Sequence, residues 1–299
     1  MTASTCMWCA VAFLGVNIQH GPALQARWGL VSEERLYDGS VWGLVTNAFV
    51  HVDPLHLLFN LYWVWILGGA FERTFGLVRT LLFILVSAFV SSGLQIYTGL
   101  GIGLSGVGYA LFGFGWVGRK RYPEFARTVT PITIQMFVLW GILCIFLTNA
   151  HMMNVGNVAH ASGLLFGAAV AGMILIPAAR IALTAALALM ATGATASLYW
   201  NPYSLFWVAN QAEAADGKHQ YARAEALYKR TLDLHANPVY SWAHLAEIYG
   251  NEHQTDNLRS AISTLRGLGD PDGKQAATDL IQEFGDPDKP EPLGKGDVK

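Results

Sequence analysis

Charge is what this sequence has least of. Only 13% of its 299 residues are Asp, Glu, Lys or Arg, whereas 53% are apolar, and the net charge is −2. Soluble domains carry about a quarter charged residues, so most of this chain is not built for water. With no basic excess and no long basic run outside the presumed membrane loops, nucleic acid is not an expected partner. Cysteine is scarce too. Cys6 and Cys9 fall in the first apolar run and Cys144 in a later one, which excludes a disulfide framework and a four-ligand zinc set. No HExxH pattern occurs, and neither a metal nor a cofactor is expected. The first residues, MTASTCMWCAVAFLGVNI, lack the basic start and cleavage site of a signal peptide. They read as a short first membrane helix.

The charges that are present are unevenly placed. Up to Asn201 they stand in small clusters between long uncharged runs, and beyond Pro202 the composition is that of ordinary soluble sequence. A bilayer core of roughly 30 Å needs about 20 apolar residues in a helix. Seven stretches approach that length: 5–19, 54–71, 78–97, 104–118, 133–150, 158–176 and 181–200. The long segment between the first two, with Trp28, Glu33, Glu34, Arg35, Tyr37 and Trp42, is amphipathic and reads as interfacial. The expected fold is therefore all-α: a polytopic membrane helical bundle of six core helices and a seventh, followed by a small soluble helical domain. Its expected boundaries are 1–200 (core 1–180, seventh helix 181–200), 201–270, and a polar, partly disordered tail over 271–299.

Lysine and arginine in the connections set orientation. Arg73 and Arg79, then Arg119, Lys120, Arg121 and Arg127, then Arg180 lie on one side, against Arg27 and Arg35 on the other. This places the amino terminus in the cytoplasm and, if the seventh stretch spans, the carboxy-terminal tail outside it. In the tail, Ala224, Tyr228 and Thr231 recur one tetratricopeptide period later as Leu258, Ile262 and Leu265. Trp242, Leu245, Ala246 and Tyr249 fit the first helix of such a repeat, with Pro238 and Pro271 near repeat ends. Two degenerate repeats that bind a peptide or protein partner and a plain helical cap both fit that pattern.

Polar groups at membrane depth are costly and mark function by default. Three groups stand out. In HVDPLHLLFN, Asp53 and Pro54 form an N-cap and first helical position, with His51 just before the helix, His56 in its first turn and Asn60 on the same face. In GLGIGLSGVGYALFG, Gly99, Gly101 and Gly103 lead without helix into Ser105, about 21 Å of helix before Arg119. That segment taken alone reads as a small-residue packing motif. In NVAHASGLLFGAAVAG, His160 stands at the head of a face continued by Gly163 and Gly167, which lets another backbone come close. Joined, Ser105 and His160 can form a nucleophile and base. No Asp or Glu lies in their helices to make a triad, and Tyr109, one turn after Ser105, can stack on the imidazole.

These residues, in this order and on successive even-numbered stretches, resemble the rhomboid intramembrane serine proteases over about residues 1–180. The resemblance implies Ser105 as nucleophile and His160 as general base. It also implies an oxyanion site made by His51, Asn60 and backbone N–H groups near Ser105, including Gly103 and Gly106, with support from His56 and Tyr109. It implies transmembrane protein substrates cut in the lipid bilayer, with the active site opening to the outer side of a bacterial inner membrane. One departure is Trp42-Gly43, where the family often has Trp-Arg. A non-catalytic member that binds membrane clients, and a channel lined by His51, His56 and His160, are the competing readings.

Overall fold

A computed structural model of the protein describes residues 1–19 and 21–289, and every regular element among them is helical. The chain divides into two compact units, Met1–Asn201 and Pro202–Lys299. The first contains α1 (Thr2–Ile18), α2 (Pro54–Phe75), α3 (Leu77–Gln95), α4 (Ser105–Gly118), α5 (Pro131–Asn149), α6 (Asn157–Leu175) and α7 (Arg180–Ala196). Five of these segments, α2, α3, α5, α6 and α7 with their flanking turns, are long and apolar enough to cross a membrane. The protein is an integral, multi-pass membrane protein.

Two of the seven expected spans are shorter than a bilayer. Helix α1 has 17 residues and α4 has 14. For α4 the reason is burial: from Gly106 to Gly115 every residue is buried, so its length is matched to protein neighbours rather than to lipid. The core around it contains Phe71, Phe83, Phe114 and Phe125, with the Phe71 ring 4.5 Å from Phe83 and 4.9 Å from Phe114. Tilted and edge-on rings at this spacing add attraction beyond area burial.

Helices α4 and α6 meet backbone to backbone. A Cβ on Gly163 would overlap the Gly106 carbonyl oxygen, one on Gly167 the Ala110 carbonyl, and one on Gly113 the Leu164 carbonyl. Absent side chains thus bring the two helices together, as small residues do between membrane helices. Helix α7 lies on α3: a Cβ on Gly93 would fall 2.7 Å from that of Ala194, and the Tyr97 hydroxyl donates to the Gly193 carbonyl at 3.2 Å.

The segment between α1 and α2 folds into short helices over Pro22–Arg27, Glu33–Tyr37 and Gly43–Thr46. Its interior holds Val31, Leu36 and Leu44 with Ile96. At Gly43, where the resemblance would place arginine, a Cβ would lie 2.7 Å from the Val31 Cβ. The loop closes there on glycine.

The second unit contains α8 (Leu205–Asp216), α9 (Tyr221–Asp233), α10 (Pro238–Asn251), α11 (Thr255–Gly267) and α12 (Pro271–Phe284) around Tyr228, Leu245, Ile262, Leu265 and Leu280. Helix α12 corrects the expectation of a partly disordered tail from residue 271. Asp270 caps its first turn, accepting from the Asp272 N–H at 2.8 Å, with Pro271 at the first helical position. Ala277 and Leu280 are buried. The DPDG run is a helix start, and its charges lie on the wet face. Residues 290–299 of that expected tail lie outside the described residues.

Gly108 and Gly167 separate close packing from glycine content. A Cβ on Gly108 meets nothing within 4 Å. Gly108→Ala is expected to hold or raise the thermal midpoint in detergent, since alanine favours a helix by about 1 kcal/mol. Gly167→Ala is expected to lose about 1–3 kcal/mol by overpacking; equal midpoints would show that the helix contact tolerates a methyl group.

Candidate active site

Ser105 is the first residue of α4, half-buried, after Gly103 in a left-handed backbone conformation at φ +97°. The space behind Gly103 explains that choice: a Cβ there would lie 2.5 Å from His56 Cε1 and 3.2 Å from His51 Nε2. The backbone leading to Ser105 therefore runs against two imidazoles, whose rings meet edge-on at 5.0 Å. On their side, Asp53 accepts from the His56 N–H at 2.7 Å and Pro54 starts α2. That cap puts His56 in the first turn and Asn60 one turn deeper.

His51 is wholly buried, and its Nε2 accepts from the Leu104 N–H at 3.3 Å. The Asn60 Nδ2 stands 3.0 Å from the same nitrogen. With Nε2 accepting, the ring proton belongs on Nδ1. The Gly103 N–H donates to the Asn47 carbonyl at 3.0 Å. His51 Nε2 and the Gly103 N–H are engaged in holding the loop, whereas the N–H groups of Ser105 and Gly106, at the first positions of α4, have no intrahelical acceptor.

His160 is buried in the first turns of α6, its ring stacked on Tyr109 at 4.6 Å between centroids and 22° between planes. The Tyr109 hydroxyl donates to the Phe137 carbonyl at 3.0 Å, which fixes the platform to α5. Beside Ser105, Gly106 packs on the same end of α6: its Cβ would fall 3.4 Å from the Ala159 carbonyl oxygen. The structure thus brings Ser105, Tyr109 and His160 to one end of the α4–α6 contact, with Gly163 and Gly167 below. No hydrogen bond joins Ser105 to His160, and the His160 Nδ1 is sealed without a partner. Catalytic hydrogen bonds are often open in substrate-free enzymes and close on binding.

Three positioning residues were not singled out in the sequence. Gln95, at the end of α3, donates from Nε2 to the Thr98 hydroxyl at 3.0 Å and the Gly99 carbonyl at 3.3 Å. Its Oε1 accepts from the Ala159 N–H at 3.0 Å. One amide therefore joins the start of the serine loop to the start of the histidine helix. Asn47, also buried, exchanges two hydrogen bonds with the Val31 backbone, at 2.8 and 2.9 Å, while its carbonyl holds Gly103. Ser91 sits where a Cβ on Gly106 would touch its hydroxyl, at 2.5 Å. The cost of polar groups at membrane depth is a signal that could have found Gln95. Asn47 and Ser91 carry no such local sign.

Next to the Tyr109 platform, an apolar groove of about 260 Å³ runs between α2 and α5, lined by Phe59, Trp63, Met136, Phe137, Trp140 and Leu143. Helix α5 buries only Thr133, Phe137 and Cys144 of its 19 residues.

Residues 38–177 match the family described as Rhomboid domain. Among curated proteins, the chain is 34% identical over 171 residues to the rhomboid protease GlpG of Yersinia pseudotuberculosis serotype I (strain IP32953) and to that of Yersinia pestis (strain Pestoides F). Each alignment covers 56% of this chain and 60% of the relative. The rhomboid protease GlpG of Yersinia enterocolitica serotype O:8 is 32% identical over 169 residues, with the same coverage. The chain thus spans about three fifths of the length of the curated relatives it matches. Through residues 38–177, the segment that carries His51, Asn60, Ser105, Tyr109 and His160, the membrane unit is similar to the rhomboid domain.

Proposed function

We propose that the protein is an intramembrane serine endopeptidase that cuts transmembrane segments of other proteins with Ser105 and His160. The observation that carries this reading is the stacking of His160 on Tyr109, one turn after Ser105, where α4 and α6 touch through glycine. The Ser105 hydroxyl attacks the peptide carbonyl while His160 takes its proton, and the imidazolium then protonates the leaving amine. Water frees the acyl-enzyme by the same proton transfers in reverse. The negative oxygen is received by the free N–H groups at the start of α4 and by the Asn60 amide, donors aimed where charge develops. His51 and His56 hold the Gly103 turn that presents them.

The apolar groove beside the Tyr109 platform supports a substrate that arrives from lipid as a helix. A helical peptide bond is shielded, so the cut segment is expected to carry small or helix-breaking residues near the bond. In the proposed organisation, residues 1–200 form the protease unit and those from 201 onward a helical array. The array's equivalent helices α9 and α11 begin 34 residues apart, at Tyr221 and Thr255, which supports the tetratricopeptide-like reading and a peptide or protein partner. The charge pattern supports a cytoplasmic amino terminus, a site opening outward, and a tail outside the cytoplasm of a bacterial inner membrane.

In liposomes containing only the purified protein and a transmembrane substrate, the wild type is expected to cut in the presence of a chelator. Ser105→Ala and His160→Ala are each expected to lose all measurable cutting; activity in Ser105→Ala that a chelator stops would replace the serine mechanism by a metal one. Gln95→Ala is expected to lower kcat by about 10- to 100-fold, because displaced catalytic groups lose rate steeply, with KM little changed and the thermal midpoint shifted by no more than a few degrees. Equal kcat would remove Gln95 from the positioning set. In spheroplasts, added protease is expected to digest the tail while cytoplasmic markers stay intact; a protected tail would reverse the proposed orientation.

A further inference from the structure

The second unit holds a cluster that the protease chemistry does not use. Asp216, at the end of α8, and His244 and Glu247, one turn apart on α10, each offer a ligand atom, and these atoms all lie within 4.8 Å of one another. Three side chains from two helices converge on one point, with α9 between those helices in sequence.

The cluster is set firmly. The His244 imidazole lies flat on the ring of Tyr228 from α9, 4.8 Å between centroids and 5° between planes, and the Tyr240 ring meets it edge-on at 4.7 Å. His244 Nδ1 and Glu247 Oε2 are 3.2 Å apart. That is close to the separation of two ligands each about 2.0 Å from a tetrahedral ion, roughly 3.3 Å.

A second observation is independent of the carboxylates. Tyr228 is wholly buried, and its hydroxyl has no hydrogen-bond partner. Buried phenols are ordinarily satisfied, and each exception needs an explanation. Its ring is the one that backs the His244 imidazole, so the orphaned hydroxyl belongs to a side chain packed directly on the cluster. Two carboxylates and an imidazole gathered within 4.8 Å, against a ring whose hydroxyl is orphaned, describe a place where a cation, with water on its open side, would give each group a partner.

We propose that Asp216, His244 and Glu247 bind a divalent transition ion, of which Zn2+ is the representative, with a water in the fourth position that Tyr228 hydrogen-bonds. One imidazole and two carboxylates form a borderline donor set, which suits Zn2+ or its neighbours better than Cu(I) or Mg2+. The ion ties α8 to α10 across α9 and fixes the curvature of the helical array. It stands apart from Ser105 and His160, and the proposal does not depend on proteolysis. It revises the expectation of no metal for this part of the chain.

The full chain, purified in detergent and stripped with a chelator, is titrated with Zn2+ against a chromophoric chelator. One tight equivalent per chain is expected. His244→Phe keeps the ring stack and removes the ligand, and Asp216→Asn keeps the shape and removes the charge. Each is expected to weaken that equivalent at least about tenfold, while far-UV circular dichroism stays unchanged. Zn2+ is further expected to slow hydrogen exchange in α8 and α10 of the wild type but not of the variants. Wild type without a tight equivalent, or one that both variants keep at full affinity, would overturn the site.

Discussion

Everything about the candidate site depends on two helices touching without side chains between them. Gly113, Gly163 and Gly167 let the α4 and α6 backbones approach until a single methyl group would strike a carbonyl oxygen. In lipid there is no hydrophobic gain from merely associating helices, so such an approach rests on dispersion and fit. It fixes the axial register of α4 on α6, and register decides whether residue 105 and residue 160 face each other. A pair of leucines at Gly163 and Gly167 would keep both helices apolar and abolish the geometry.

That approach creates a second constraint. Helix α4 is about 21 Å long in a hydrocarbon layer of roughly 30 Å, so the chain before Ser105 crosses membrane depth without helix. Irregular backbone there must be satisfied by protein. Three of its groups have named partners: Gln95 takes the Gly99 carbonyl, Asn47 the Gly103 N–H and His51 the Leu104 N–H. The N–H groups of Ser105 and Gly106 follow at the first positions of α4, without an intrahelical acceptor. His51, placed in the oxyanion group by the resemblance, is in this structure also a residue that holds the loop.

What could be read from the sequence was local or periodic. Asp53-Pro54 marked a helix start, the four-residue spacing of His56 and Asn60 marked a shared face, and Gly163 and Gly167 below His160 marked a contact stripe. The stacking of Tyr109 on His160 was legible because both sit at fixed turns of neighbouring helices. What escaped was non-local. Gln95 matters through Ala159, 64 residues away, and Asn47 through Gly103; neither spacing carries a period. Helix α12 escaped for another reason: proline and charge were weighed as composition, although Asp270-Pro271 is the same start signal as Asp53-Pro54.

The wall facing lipid at this site is α5, and its packing bears on how a substrate could reach Ser105. Sixteen of its 19 residues are not fully buried, and an apolar groove lies between it and α2. A helix held by few interior contacts costs little to displace, whereas α4, buried along most of its length, costs a great deal. Yet α5 is tied to the Tyr109 ring through the Tyr109 hydroxyl on the Phe137 carbonyl, and Phe137 also stacks on Phe112 at 4.1 Å. Movement of α5 would therefore load the ring on which His160 rests. Ser105 and His160 share no hydrogen bond in this arrangement, so in the proposed mechanism a segment that displaces α5 would also act on the pair assigned as nucleophile and base.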